Sequence, residues 1–218
     1  MYILFNKYKT NTKTNMKLKY ILFTLTIIMS NVVFSQNTIK MTNNYGSTNN
    51  DIQDLIDFEN IYIEQLNFEG INLKNKFYQI SIEEYIDGNL KNSSILFDGN
   101  EADIFKINSN EESLKFFFKL NENKLKIFIR GKKFGSKKSY FNLTNNSDTY
   151  ALKDFFGNKK QLDLEISKKN AVLAIITPTI HEDGTGSYCE VAQSTIQPEK
   201  LGKEFKIPQY FIISITFK

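Results

Sequence analysis

The stretch from Ser113 to Arg130, SLKFFFKLNENKLKIFIR, constrains the fold more than any other part of this chain. Leu114, Phe116, Phe118 and Leu120 recur at every second position with Lys115, Phe117 and Lys119 between them; Leu125, Ile127 and Ile129 then alternate with Lys126, Phe128 and Arg130. A period of two is the signature of an extended backbone, whose successive side chains leave on opposite sides. Asn121-Glu122-Asn123 interrupts the pattern with residues that tolerate turn backbone, so the segment predicts a β-hairpin with one apolar and one cationic face. A lone hairpin cannot keep an apolar face dry. The rest of the chain must therefore supply a second layer over it.

Other segments repeat the pattern. Phe77 to Ile86 reads as a strand, Asp87-Gly88 as a primed hairpin turn, and Leu90 to Phe97 as the returning strand. Asn60 to Phe68 alternates, with Ile61, Ile63 and Leu66 expected to face inward. Asp103 to Asn108, Tyr140 to Leu143 and Gln161 to Ile166 continue the series. Ala171 to Thr177 is an unbroken apolar run suited to a strand covered on both faces, and Tyr210 to Phe217 adds another strand. Only Asp51 to Phe58, behind Asn50 or Asp51 as a cap, and Thr149 to Phe156, with Leu152, Phe155 and Phe156 on one side, suggest helical turns. Short strands without sustained helical patterns between them predict an all-β antiparallel sandwich with one or two short helical turns. A transmembrane barrel is the rival, but its strands would run about 9 to 11 residues and several here are shorter.

With 218 residues, 41% hydrophobic and including 19 Phe and 11 Tyr, the chain has ample material for one packed core. Its front reads differently. Met16-Lys17-Leu18-Lys19 is a basic start, Tyr20 to Met29 is mostly apolar, and Val33-Phe34-Ser35 ends in the small-residue pattern of a signal-peptidase site. The apolar run, broken by Thr24 and Thr26, falls short of the roughly 20 residues a membrane helix needs. Residues 1–35 are thus expected to be a signal peptide with an upstream extension, 36–50 a flexible polar lead-in, and 51–218 a single β-sandwich domain, periplasmic or extracellular, with no membrane span after cleavage. The Ser35-Gln36 junction resembles that of leaders cut from exported proteins of Gram-negative bacteria. Together with the strand-rich remainder, it makes the chain similar to small exported bacterial proteins of unknown function, a likeness of organisation that implies location and carries no site motif.

The leader changes the charge argument. The whole chain carries 28 Lys+Arg and 24 Asp+Glu, but Lys7, Lys9, Lys13, Lys17 and Lys19 fall within the first 35 residues, where no acid occurs, leaving 23 cations against 24 anions. General attraction to nucleic acid is not expected of such a balance. Charge is instead concentrated: from Lys115 to Lys138 nine cations stand against Glu122 alone. The candidate binding residues are Lys115, Phe117, Lys119, Lys126, Phe128 and Arg130 on the hairpin's cationic face, with Lys132 and Lys133 in the loop after it. Cations beside rings can hold an acidic glycan or an envelope protein through charge, stacking and cation–π contact. The competing reading is a solvated face whose two phenylalanines are covered by another element.

Other chemistry has little support in the residues. His181 to Glu190 holds the only His and the only Cys, yet no nucleophile signature surrounds Cys189, which is expected to pack as a small apolar residue in a surface turn. Asp98 to Asp103 is acidic but misses calcium-loop spacing and is expected to be a plain hairpin loop. No phosphate loop, serine elbow or zinc-protease helix occurs, so no catalytic residue, metal or cofactor is assigned. The expected function is that of a non-catalytic exported binding protein for a glycan or envelope partner. The alternatives are an envelope structural or assembly protein that pairs through an edge strand, and a hydrolase using a scattered carboxylate pair.

Overall fold

The computed structural model describes residues 38–181 and 183–218; the expected leader, 1–35, lies outside them. In chain order the elements are β1 (Thr38–Tyr45), α1 (Asn50–Phe58), β2 (Ile61–Glu69), β3 (Tyr78–Ile86), β4 (Asn89–Asp98), β5 (Glu111–Asn121), β6 (Lys124–Gly131), β7 (Ser139–Asn142) and β8 (Ala151–Asp154). They continue with β9 (Leu162–Glu165), β10 (Asn170–Ile176), β11 (Thr179–Ile180), β12 (Gly186–Ser187), α2 (Cys189–Gln193), α3 (Leu201–Glu204) and β13 (Gln209–Phe217). Two large antiparallel sheets result, sheet A in the order β7-β6-β5-β2-β1-β9 and sheet B in the order β4-β3-β13-β10-β8, and β11 pairs with β12 as a small third one. This is the expected all-β sandwich. Among the described residues no helix is long and apolar enough to cross a membrane.

The alternation of the hairpin explains how the layers stack. Leu114, Phe116, Phe118, Leu120, Leu125, Ile127 and Ile129 are all buried, and they share one core with Ile80, Ile213, Ile215 and Phe217 of sheet B. Rings join the layers directly, Phe68 meeting Phe217 edge-on at 5.3 Å and Phe141 meeting Phe211 at 5.8 Å. Both hairpin turns put two successive residues in left-handed backbone, Asp87 and Gly88 in one, Glu122 and Asn123 in the other. That geometry matches the twist of the flanking strands. At one end of the sandwich Gln209, fully buried, ties the sheets together. Its Oε1 accepts from Tyr150 Oη (2.5 Å) and Thr144 N (2.8 Å), and its Nε2 donates to Glu84 Oε1 (2.6 Å) and the Asn142 carbonyl (3.1 Å). A buried amide with every polar atom bonded costs nothing in lost hydration and fixes the register of the layers.

The strand β10 is buried on both faces, as its unbroken apolar run implies, and so is β13: Phe211, Ile213 and Ile215 enter the core between the sheets, while Tyr210 and Ile212 enter a second core on the outer side. That second core is closed by Val191, Leu201 and Ile207 from the polar-looking stretch 181–207. Tyr85 stacks on Tyr210 at 4.8 Å within it, and Tyr210 Oη donates to the Glu199 carbonyl at 3.0 Å.

Five local expectations are corrected. The lead-in 36–50 contributes β1, which pairs with β2 and β9, because Ile39 and Met41 alternate with polar neighbours and are fully buried. Ile61 and Ile63 are on the outer side of β2, since the inner positions are those of Tyr62, Glu64, Leu66 and Phe68. Residues 103–105 form a 3-10 turn in place of a strand. Residues 151–154 form a strand instead of a helical turn, because pairing with β10 satisfies their backbone and sends Leu152 and Phe155 into different cores. The cap of α1 is Asn49, whose side chain accepts from Ile52 N; of the apolar residues Ile52, Leu55 and Ile56, only Ile56 is buried.

Candidate functional site

On the outer side of sheet A the pairing of β5 with β6 sets Lys115 opposite Arg130, Phe117 opposite Phe128 and Lys119 opposite Lys126. The two rings lie 5.7 Å apart, tilted by 39°, and both are partly exposed. Arg130 holds its guanidinium 5.4 Å from the Phe128 ring, and Lys126 its ammonium 6.0 Å from the ring of Tyr140, the residue paired with it on β7. Lys119 is neutralised by Glu59 at 2.6 Å. Among the described residues, no carboxylate forms an ion pair with Lys115, Lys126 or Arg130. Like charges directly opposite one another destabilise a sheet by roughly 0.2–1 kcal/mol per pair. Lys115 opposite Arg130 is such a pair, an arrangement that stability alone does not favour, while Glu59 relieves the repulsion between Lys119 and Lys126.

The platform continues across the sheet. Ile63 of β2 stands beside Phe117 and Gln65 beside Lys115. Gln65 Nε2 donates to Asn67 Oδ1 (3.0 Å) and Ser113 Oγ (3.1 Å), and Ser113 Oγ donates to Asn67 Oδ1 (2.9 Å). A row of amide and hydroxyl groups thus borders the aromatic and cationic patch. Six of the eight candidate residues, Lys115, Phe117, Lys119, Lys126, Phe128 and Arg130, share this face. The other two do not join them. Phe134 stacks on Phe97 at 3.9 Å and anchors the loop, so that Lys132 Nζ turns to the Glu111 carbonyl (3.4 Å) and Lys133 Nζ to the Lys106 carbonyl (2.9 Å). Lys132 lines a small recess of about 170 Å³ with Lys40, Asn67 and Glu69. Gly135 of the same loop rests against the edge of the Phe128 ring.

Of the four buried charged side chains among the described residues, Glu64, Glu83, Glu112 and Lys153, the first and last are the most enclosed. Glu64, 2% exposed on the inner side of β2, accepts from Asn43 Nδ2 at 2.7 Å. Burial raises its carboxyl to about 7, the Asn43 hydrogen bond opposes the rise, and the charge of Asp154 adds to it. Glu64 is sealed in the core, away from the solvent a substrate would arrive from. Lys153, 4% exposed on β8, donates from Nζ to the Ala192 carbonyl at 2.7 Å. It lines a groove of about 900 Å³ between β8, β10 and residues 192–198. Strand alternation offered no signal for either: a charged residue at the inward position of Glu64 breaks the pattern that identifies a strand, and Lys153 is buried by the distant segment 192–198.

The remaining candidates dissolve on inspection. Asp98 is occupied by Asn100 N (3.0 Å), Asn100 Nδ2 (2.6 Å) and Gln79 Nε2 (2.8 Å), bonds that hold its carboxyl below the ordinary value. Among the described residues no group of three metal-ligating side chains occurs. Cys189 is exposed, contrary to its expected packing, because it opens α2 and only Val191 of that turn points into the core. The long edge strand β4 shifts register twice against β3, between Ile80 and Ser81 and between Glu84 and Tyr85. Such bulges turn an edge away from an incoming strand. Comparison with known families, curated proteins and solved structures finds no match to the chain.

Proposed function

We propose that this is an exported, non-catalytic β-sandwich protein that binds an acidic glycan of the cell envelope through the outer face of sheet A. One observation carries the reading: Lys115, Lys126 and Arg130, which no carboxylate pairs among the described residues, flank the partly exposed Phe117–Phe128 pair on the outer face of sheet A. A sugar ring presents C–H groups that stack on such rings, and its carboxylate or sulfate would neutralise the cations that repel each other in the free protein. The amide and hydroxyl row of Gln65, Asn67 and Ser113 supplies donors and acceptors for hydroxyl groups alongside. The bulged β4 edge gives strand addition no support, and the burial of Glu64 gives hydrolysis none.

Titration of the exported protein with polygalacturonate, against dextran as a neutral control, tests this. Binding of the acidic polymer is expected to weaken at least tenfold in the double variant Lys126→Glu, Arg130→Glu, and about as much in Phe117→Ala with Phe128→Ala. Retention of full affinity by the charge variant overturns the reading. Loss in the charge variant but not in the ring variant would reduce the site to unspecific electrostatics, which high salt would erase.

A further inference from the structure

Lys153 stands on the outer side of β8, the edge strand of sheet B, under the segment 192–198. Its ammonium has three donors. One goes to the Ala192 carbonyl at 2.7 Å, and the Phe155 ring lies 5.0 Å from Nζ. Among the described residues no carboxylate pairs with it. Asp154, next in the chain, borders the same groove but is turned to other partners: its Oδ1 accepts from Phe156 N at 2.9 Å and its charge acts on Glu64. Burial accordingly pushes the Lys153 ammonium down from the ordinary lysine value, against the weaker opposing effect of Asp154. A buried cation with one neutral acceptor is an unbalanced arrangement. The groove it lines is of the size that takes small molecules, and Leu152, Phe155, Phe156 and Leu164 make that groove largely apolar.

We infer that this groove is a second binding site, for a small amphiphilic monocarboxylate: the carboxylate accepts from Lys153 Nζ and the apolar body lies along Phe155, Phe156 and Leu164. A single negative charge is the match for one buried ammonium. A doubly charged phosphate would leave excess charge beside Asp154, which also lines the groove. The site is on the other sheet from the glycan face and stands or falls independently of it. The same chemistry is offered by a free alkyl carboxylate or by the carboxy-terminus of a short apolar peptide.

Calorimetric titration of the folded protein with decanoate and methyl decanoate, and in parallel with N-acetyl-Leu-Leu-Phe and its amide, tests the inference. At least one of the two acids is expected to bind ten times or more tighter than its uncharged partner, and which one does so identifies the source. Lys153→Met is expected to abolish that preference and Lys153→Arg to keep it. Should Lys153→Met not fold, Thr195→Trp, an exposed position in the lining, is expected to block binding by filling the groove. Equal affinity for acid and uncharged partner in both series, absence of binding, or an acid preference that survives Lys153→Met or Thr195→Trp overturns it.

Discussion

The outer faces of the two sheets start from similar material and end differently. Each carries aromatic and aliphatic side chains at outward positions, Tyr85, Tyr210 and Ile212 on sheet B, Phe117, Phe128 and Ile63 on sheet A. Over sheet B the chain lays α2, α3 and their connections, and the outward residues become a second core. Over the β5–β6 part of sheet A the described residues lay no comparable cover, and the rings stand among cations instead. Among the described residues, the covering element from 181 to 207 packs on sheet B and leaves Phe117 and Phe128 partly exposed. Outward aromatic residues are structural where the chain spends a segment on them, and available for contact where it does not.

The sharpest way to break this comparison is to truncate rings on the two sides of one strand. Phe118→Ala is expected to cost about 3–5 kcal/mol in urea denaturation, the range for emptying a buried phenylalanine site, whereas Phe117→Ala is expected to cost less than about 1 kcal/mol. Equal losses would mean that the outer face is packed after all. Next in size is the cover of sheet B, where Leu201→Ala is expected to cost about 2–4 kcal/mol because its side chain is fully buried; a loss within about 0.5 kcal/mol would make that cover a loose flap.

The interior gives a pH signature of its own. Because the Glu64 carboxyl is raised from 4.5 to about 7, the folded state holds its proton where the unfolded state has released it. Its contribution is therefore intact below about pH 4.5 and is lost as pH rises to about 7, a fall on the order of 3 kcal/mol. Glu64→Gln is expected to flatten that decline in denaturation curves taken between pH 4 and 8; an unchanged slope would contradict the assignment. The smallest effect is the most specific. Arg130→Glu turns a repelling pair with Lys115 into an attracting one and is expected to raise stability by a few tenths of a kcal/mol while weakening polygalacturonate binding. A parallel loss of stability and binding would make Arg130 a structural residue.

Much of the sandwich was legible because strands that bury one face announce it. The β5–β6 and β3–β4 hairpins, β9, β10 and β13 all follow from alternation, apolar runs and turn residues. What misled was local ambiguity resolved by distant pairing. Ala151 to Asp154 has apolar neighbours at helical spacing, yet the open edge of β10 takes it as a strand. Ile61 and Ile63 look like core, yet one step along β2 the inner side needs Leu66 and Phe68, and a strand cannot bury both sets. Of the candidate face, six residues were legible because a hairpin fixes its own register. Lys132 and Lys133 were not, because the direction of their loop is set by Phe134 finding Phe97 across the molecule. The cover from 181 to 207 hid behind polar composition, since the residues it sends inward, Tyr188, Val191, Leu201, Phe205 and Ile207, are spread thinly along it.

The place of β13 between β3 and β10 governs the order of events when the chain first folds. Residues 78–86 and 170–176 have no contact ladder with each other and wait for 209–217 to fill the gap between them. Until then the nascent molecule holds an open slot lined with isoleucine, the kind of surface that chaperones shield, while the self-contained hairpin of β5 and β6 can already be in place.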